Sequence, residues 1–260
     1  YAGNFSLDEM KEAVRYAHLY GVKVYVTVNT VIYESEIEML LDYVDELVKI
    51  HIDALIIQDL GAFDLIHQIY PDLELHASTQ MHIHNVSGAL MMEKLGAKRV
   101  VLARETPIEV VREVKKKTKI EVEIFVHGAL CVSYSGQCLM SSLIGGRSGN
   151  RGSCAGSCRQ KYTMVELDQG KEKVVKEESY LLSMKDLNTL EHLSELIDAG
   201  VESFKIEGRM KSPSYVYCVV SLYREAIDSY LQKGKVSIKQ KMLENLSYIF
   251  HRRFTKGFLF

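Results

Sequence analysis

Four cysteines lie close together in the middle of the sequence and have the clearest potential for chemistry. They are separated by six, fifteen and three residues, and the whole chain has five cysteines. Crowded thiolates repel one another and oxidise readily, whereas a bound metal centre deprotonates them and holds them together. The pattern therefore predicts a metal centre whose ligands are Cys131, Cys138, Cys154 and Cys158.

The spacing of these thiols favours an iron–sulfur cluster over zinc. Zinc ribbons and fingers usually contain C-x₂-C pairs, which intervals of six and three residues match poorly. The corners of an iron–sulfur cluster lie several ångströms apart and accept ligands from separate turns of backbone. Zinc, redox-active thiols and inert thiols remain alternatives. The fifth cysteine, Cys218, has apolar neighbours in a helical pattern and is expected to be a buried small side chain.

Two further segments have the composition of anion-binding sites. Between Leu143 and Lys161 the chain carries four basic side chains and no acidic one, which suits a phosphate, a carboxylate or an RNA backbone, or else a solvated loop. In residues 204–212, acidic and basic side chains alternate where a strand leads into a helix N-terminus, which suits an anion site or a salt-bridged scaffold. From these segments we predict that Arg147, Arg151 and Lys211 bind substrate and that Glu207 and Arg209 act in catalysis.

Polar side chains also follow the strand-like segments at the points where the apolar runs end. In a barrel these ends meet at the face that carries the active site, although strand ends can also be polar simply because they meet solvent. His127 is the favoured catalytic histidine, because it ends a strand beside the thiols, whereas the other histidines are scattered. The strand-end residues predicted to bind substrate are Asn29, Gln58, Gln80 and Arg104.

Strand-like and helical patterns alternate along the chain, which predicts an α/β fold with a parallel sheet covered by helices. No G-x-G-x-x-G motif follows a strand, so a TIM-like (β/α) barrel is favoured over an open doubly wound sheet. A barrel needs eight strand–helix units, and this chain supplies six, preceded by a helix with a capping box at Ser6 and Glu9. We therefore expect a barrel truncated at its N-terminus. The predicted strands cover residues 22–29, 53–59, 73–79, 98–104, 120–128 and 202–208.

The regular alternation breaks after residue 128, and the cysteines lie in the irregular part. We predict a long cysteine-bearing insertion over residues 129–183, because loops of this length in a compact domain are usually functional. Its second half reads as two strands around a polar turn at residues 168–170. The domain organisation expected is a barrel domain over residues 1–233 and the start of a C-terminal segment over residues 234–260.

Composition gives no sign of a global nucleic-acid or membrane preference. The 260-residue chain has a formal net charge of −2, so binding to RNA would depend on a local basic patch. The sequence has no apolar run near the roughly 20 residues needed to span a bilayer and no signal-peptide pattern. An odd cysteine count argues against a disulfide framework. These features predict a cytoplasmic protein, and because Tyr1 is not an initiator methionine, we expect a processed or cropped chain.

Residues 123–141, E-I-F-V-H-G-A-L-C-V-S-Y-S-G-Q-C-L-M-S, resemble the signature of peptidase family U32. Similar blocks, such as LHASTQM, GGRSGNRGSC and SFKIEGRMKSPSYV, extend the resemblance over nearly the whole chain. Gly156-Ser157 stands where the family usually has glutamine–proline, and this departure keeps the thiol spacing. The signature positions are met by Glu123, Phe125, Gly128, Ala129, Leu130, Cys131, Gly136, Cys138, Met140 and Ser141.

The resemblance implies a barrel whose cysteines hold a [4Fe–4S] cluster, with Cys131, Cys138 and Cys154 as ligands and Cys158, or alternatively Cys218, as the fourth. Some members are described as collagenase-like proteases, whereas better-understood relatives hydroxylate tRNA wobble uridine with prephenate, ribosomal RNA or ubiquinone precursors. The blocks at 103–105 and 249–258 look most like the tRNA branch.

From the resemblance we expect an iron–sulfur-dependent tRNA hydroxylation enzyme, with tRNA and a small carboxylate such as prephenate as partners. Two alternatives remain. One is a collagenase-like peptidase, although the sequence shows no serine elbow or H-E-x-x-H motif. The other is a non-catalytic redox or assembly protein that pairs with a homologous subunit.

Overall fold

A computed structural model describes residues 3–249 and 251–260; Tyr1, Ala2 and Phe250, the last of which falls in the 249–258 block, lie outside the described residues. The strands in the described residues are β1 (Tyr25–Val28), β2 (Ala54–Ile57), β3 (Glu74–Ala77), β4 (Arg99–Val101), β5 (Glu121–Ala129), β6 (Tyr162–Asp168), β7 (Lys171–Ser179), β8 (Asp186–Asn188), β9 (Ser203–Ile206) and β10 (Phe254–Thr255). The α-helices there are α1 (Leu7–Leu19), α2 (Ile37–Lys49), α3 (Leu60–Ile69), α4 (Val86–Lys94), α5 (Ile108–Lys117), α6 (Met140–Gly145), α7 (Leu193–Asp198), α8 (Pro213–Lys233) and α9 (Gln240–Tyr248).

The main sheet is built from parallel strands that follow one another in chain order. Each neighbouring pair from β1 to β5 is parallel, and β9 pairs in parallel with β5. All four residues of β2 are buried, which is the pattern of a strand covered on both faces. The six predicted strands and the mixed α/β class with a parallel sheet are therefore confirmed.

This order of strands is that of a (β/α) barrel, because neighbours in the chain stay neighbours in the sheet, whereas a doubly wound sheet reverses its order. Closing the barrel requires a connection between β9 and β1. The strand pairings in the described residues do not include one, so the closed barrel remains a prediction.

The helices between the strands begin at caps and bury one face against the sheet. Ser6 and Glu9 form the expected capping box at the start of α1. The side chain of Asn85 caps α4 by accepting a hydrogen bond from the Gly88 N–H at 2.8 Å. Leu47 of α2 and Phe63 of α3 are fully buried. None of the helices in the described residues has both the length and the apolar character that crossing a membrane requires.

Residues 130–202 connect β5 to β9 and depart from the strand–helix alternation. Here β6 and β7 form the antiparallel hairpin that the sequence predicts. Its two-residue turn has positive φ at both Gln169 and Gly170, as a tight hairpin turn requires. The short helix α6 follows the second cysteine of the cluster along the chain.

Residues 185–199 have an amphipathic helical pattern in the sequence, but the first part of this stretch is not helical. Residues 186–188 form β8, which pairs antiparallel with the end of β5 at residues 127–129. Pairing with β5 overrides the local helical pattern, and α7 begins only at Leu193. Residues 234–260, expected to start a further segment, contribute α9 and β10, and β10 pairs in parallel with β8.

Candidate thiol-lined active site

A cavity of about 440 Å³ lies where the carboxyl ends of the parallel strands meet the cysteine-bearing residues. All four clustered cysteines line it, together with side chains that follow β1, β3, β4 and β9. Cys218 lies on α8 and is not part of the lining. The predicted site residues that line the cavity are Asn29, Gln80, Arg104, Cys131, Cys138, Cys154, Cys158, Glu207 and Arg209.

The four thiols influence one another electrostatically. Burial raises the pKa of the Cys158 thiol above its ordinary value, the positive charge of Arg159 opposes this effect, and Cys131, Cys154 and Cys138 raise the pKa further. Four cysteine thiols around one cavity are a donor set that suits an iron–sulfur cluster and zinc alike. No group of three or more His, Cys, Asp or Glu side chains in the described part of the chain is arranged to hold a metal ion. The four thiols therefore share one cavity and have the donor chemistry of a metal centre, but their arrangement in the described residues is not that of a set of metal ligands.

The first thiol loop, residues 131–138, is fixed against the ends of β3 and β4. The Glu105 carboxylate accepts hydrogen bonds from the Ser135 N–H at 2.9 Å and from the Ser135 hydroxyl at 3.0 Å. Gly136 has a φ of +72°, and a Cβ atom at this position would lie 1.9 Å from the carbonyl oxygen of Gln80. Only glycine permits this close approach, so packing explains the glycine between the first two cysteines.

The second thiol segment, residues 147–161, is tied to the first loop by Arg159. This guanidinium donates hydrogen bonds to the carbonyl of Leu130, which directly precedes Cys131. It also donates to the Ser183 hydroxyl at 2.8 Å and to the Met184 carbonyl at 2.9 Å. Arg159, next to Cys158, therefore connects the two cysteine-bearing stretches to each other.

Arg151, a predicted substrate-binding residue, fastens the same segment to the loop after β1. Its guanidinium forms a two-pronged ion pair with Glu36 at 2.7 and 2.6 Å and lies 4.2 Å from the centre of the Tyr33 ring. The hydrogen bond from Arg151 is the main reason that the pKa of Glu36 falls to about 2. Arg151 does not line the thiol cavity, so the structure gives it a role in holding the segment in place.

Two arginines that do line the cavity carry charge without an acidic partner. Among the described residues, no carboxylate forms an ion pair with Arg104 or with the guanidinium of Arg209. Nearby, the Gln80 side-chain amide donates to the carbonyl of Asn29 at 3.1 Å, and Glu207 accepts a hydrogen bond from the Arg209 N–H at 3.1 Å. Unpaired guanidinium groups beside amide side chains suit a ligand that carries a phosphate or carboxylate group.

The floor of the cavity contains a charged pair that is largely buried. Lys205, which lines the cavity, donates to Glu123 at 2.7 Å, and the Ser203 hydroxyl donates to the other carboxylate oxygen at 2.7 Å. Burial pushes the pKa of Glu123 up, but the charge of Lys205 and these hydrogen bonds together lower it below its ordinary value. Glu123 belongs to the motif in residues 123–141, and it contacts Lys205 and Ser203 on β9 and Arg99 on β4.

Three other predicted substrate-binding residues lie outside the lining of this cavity. Gln58 lines a separate pocket beside α4. Arg147 donates to the Ser153 carbonyl at 3.0 Å within the second thiol segment. Lys211 lies 3.7 Å from a carboxylate oxygen of the buried Asp186.

His127, the predicted catalytic histidine, lies behind the cavity wall. It is only 1% exposed, its Nδ1 is 3.4 Å from the Tyr223 hydroxyl, and it is absent from the cavity lining. Burial lowers its pKa to about 4, so the ring is neutral at pH 7. Its carbonyl accepts a hydrogen bond from the Glu207 N–H at 2.9 Å. The structure therefore assigns His127 a supporting position rather than one that faces a substrate.

Sequence reasoning did not identify Ser135 as part of the site. A single serine in a loop carries no signal of its own, and its partner Glu105 lies 30 residues away in the chain. The adjacency of Arg104 and Glu105 at the end of a strand was the only available hint.

A family model described as "Peptidase family U32" matches residues 1–260, the whole chain. Among similar curated proteins, "23S rRNA 5-hydroxycytidine C2501 synthase" of Escherichia coli (strain K12) is 44% identical over 228 residues, which are 88% of this chain and 34% of that protein. "tRNA hydroxylation protein P1" of Bacillus subtilis (strain 168) is 38% identical over 243 residues, 92% of this chain and 58% of that protein.

A third relative has a different kind of name. "Collagenase" of Porphyromonas gingivalis (strain ATCC BAA-308 / W83) is 37% identical over 270 residues, which cover 99% of this chain and 64% of that protein. The chain therefore spans less than two thirds of the length of each of these three relatives.

Proposed function

Because the chain belongs to peptidase family U32, we propose that it is an RNA hydroxylation enzyme whose four clustered cysteines hold a [4Fe–4S] cluster. The proposed target is a uridine at the wobble position of tRNA, and a small carboxylate such as prephenate is the proposed second partner. Relatives named for tRNA hydroxylation and for hydroxycytidine synthesis in ribosomal RNA support this class of reaction.

One observation carries the proposal: four thiols and two arginines without acidic partners line the same cavity. The thiols supply the donor set of the cluster, and the guanidinium groups supply the positive charge that a polyanionic substrate needs. A peptide substrate requires neither feature.

In this proposal the residues of the cavity have distinct roles. Arg104 and Arg209 bind a phosphate or carboxylate group, and Asn29 and Gln80 offer amide groups that can hydrogen-bond the edges of an unpaired base. Cys131, Cys138, Cys154 and Cys158 hold the cluster, which when bound supplies one-electron transfer. The residues that follow β9, including Glu207 and Arg209, line one side of the cavity.

The test compares RNA nucleosides from cells with and without the gene by mass spectrometry. We expect the deletion to remove a hydroxylated uridine from tRNA, wild-type protein to restore it, and Cys131→Ser or Cys138→Ser to fail. Protein purified without oxygen should contain iron and acid-labile sulfide. Cys158→Ser should lose that iron, because Cys158 lines the cavity, and Cys218→Ser should keep it, because Cys218 does not. Unchanged nucleosides in the deletion strain, or zinc in place of iron, would contradict the proposal.

The relative named collagenase supports a second candidate function, cleavage of peptide bonds. A thiol peptidase needs a base within hydrogen-bond reach of its nucleophile, and His127 contacts Tyr223 behind the cavity wall. Hydrolysis of gelatin by pure protein that is lost in Cys131→Ala would favour the peptidase. Stable co-purification with a homologous subunit, in a protein without either activity, would favour an assembly role.

A further inference from the structure

Glu105 is a carboxylate that contacts the first thiol loop beside the cavity. Its side chain is 12% exposed and accepts two hydrogen bonds from Ser135, one from the backbone N–H at 2.9 Å and one from the hydroxyl at 3.0 Å. His82 Nδ1 lies 2.8 Å from the same carboxylate, although the two groups are not aligned for a hydrogen bond. Both hydrogen bonds that the Glu105 side chain accepts therefore come from the first thiol loop.

Ser135 also forms hydrogen bonds with Arg104, and so links Glu105 to this arginine. The serine is fully buried, and its hydroxyl oxygen accepts hydrogen bonds from the Arg104 backbone N–H at 3.2 Å and from the Arg104 Nε at 3.1 Å. The same hydroxyl donates its hydrogen to Glu105, so its orientation is defined by the carboxylate. A glutamine in place of Glu105 has one acceptor oxygen instead of two, so it can keep only one of the two hydrogen bonds from Ser135.

Ser135 holds the Arg104 guanidinium through one of its nitrogens. Its Nε is engaged by Ser135, while the side chain lines the cavity. A free arginine side chain loses considerable rotamer entropy when it binds a ligand, and a side chain that is already fixed loses less. Ser135 therefore prepares Arg104 for an anionic group.

The consequence for the thiols follows from the position of Ser135 in the chain. It lies between Cys131 and Cys138, and the adjacent Gly136 packs against the Gln80 backbone. The bonds from Glu105 to Ser135 thus fix the loop that carries two of the four thiols.

We propose that Glu105 and Ser135 are positioning residues that join the two functions of the cavity. One buried carboxylate sets the direction of the anion-binding Arg104 and the conformation of the loop bearing Cys131 and Cys138. The part of this proposal that concerns Arg104 depends on the proposed function, whereas the part that concerns the thiol loop does not.

The test uses the metal-free protein and two separate measurements. The rate of iodoacetamide alkylation at each cysteine, measured by mass spectrometry with Cys218 as internal reference, reports on the thiol loop. Fluorescence anisotropy with fluorescein-labelled tRNA reports on Arg104. The variants are Glu105→Gln, which keeps the size of the side chain, Ser135→Ala and Arg104→Lys. Glu109→Gln, an exposed residue in the first turn of α5, is the matched control.

We expect Glu105→Gln and Ser135→Ala to raise the alkylation rate of Cys131 and Cys138 about tenfold, the factor that corresponds to losing a hydrogen bond to a charged group. Both should also weaken tRNA binding. Arg104→Lys should weaken tRNA binding while changing alkylation much less, and Glu109→Gln should change neither measurement. Thermal unfolding confirms that each variant is folded.

Wild-type alkylation rates in folded Glu105→Gln and Ser135→Ala would overturn the proposal. Equal tRNA affinity in Arg104→Lys and wild type would overturn the part that concerns Arg104. If wild-type protein does not bind tRNA at all, the proposed function fails, and the alkylation rates still decide whether Glu105 fixes the loop.

Discussion

The two cysteine-bearing stretches reach the same cavity by different physical means. The first thiol loop is held by the largely buried Glu105 and by a backbone contact at Gly136 that leaves no space for a side chain. The second thiol segment is held mainly by arginine side chains, and its Arg151–Glu36 ion pair is partly exposed. Buried hydrogen bonds and close packing resist salt and pH, whereas exposed ion pairs are weakened by both.

This difference indicates which of the two stretches loses its structure first when the protein is perturbed. In the second segment Cys154 is exposed and Cys158 is partly buried, whereas both thiols of the first loop, Cys131 and Cys138, are partly buried. We therefore expect the first loop to keep its shape when the protein is perturbed and the second segment to loosen around it. Loading of a cluster would then depend most on the second segment.

The largest effect is expected from a methyl group on the glycine of the first loop. Gly136→Ala places a Cβ 1.9 Å from the Gln80 carbonyl oxygen at a φ of +72°, so we expect a loss of about 3–4 kcal/mol in the free energy of unfolding. Gly156→Ala in the second segment is the matched control, because its φ is +69° and the nearest atom would be 3.9 Å away. That control should lose only about 1–2 kcal/mol, the cost of the left-handed conformation.

Urea unfolding monitored by circular dichroism measures both variants. Equal losses of unfolding free energy in Gly136→Ala and Gly156→Ala would show that the first loop shifts as easily as the second segment. The proposed difference in how the two stretches are held would then be wrong.

A smaller effect is expected at the Arg151–Glu36 ion pair, and its pH dependence has a definite sign. The pKa of Glu36 is lowered to about 2 from 4.5, so the stabilising contribution is present above pH 4.5 and is lost as the pH falls toward 2. Glu36→Gln should therefore increase hydrogen exchange in residues 147–161 between pH 7 and 5. The difference from wild type should disappear between pH 4.5 and 2, and 1 M salt should reduce it.

Glu34→Gln, an exposed neighbour of Glu36 in the same turn, is the control and should exchange like wild type. If Glu36→Gln instead changed exchange in residues 131–138 as strongly, the two stretches would be one unit rather than two.

Much of the framework could be predicted from the sequence, because it depends on local patterns. Apolar runs that end in polar residues located the six parallel strands, and a polar turn between β-like runs located the β6–β7 hairpin. The convergence of four thiols on one cavity also followed from their clustering between residues 131 and 158.

The contacts that hold the site could not be predicted, because they join residues that are far apart in the chain. Arg151 has the composition of an anion-binding residue, but Glu36, 115 positions earlier, neutralises it. His127 follows a strand in the manner of a catalytic residue, but aromatic side chains from α8 and β10 surround it. The local pattern of residues 186–188 indicates a helix, because the partner that makes them a strand, β5, is about 60 residues away in the chain.

The smallest effect distinguishes the two thiols inside the second segment. Burial raises the pKa of Cys158, and only the thiolate reacts with alkylating agents, whereas Cys154 is exposed. At pH 7.5 iodoacetamide should therefore modify Cys154 several times faster than Cys158 in the metal-free protein. Raising the pH should narrow the difference, because it restores the Cys158 thiolate. Equal rates at pH 7.5 would mean that Cys158 is no more protected by burial than Cys154, so that the two ends of the second segment would be equally loose.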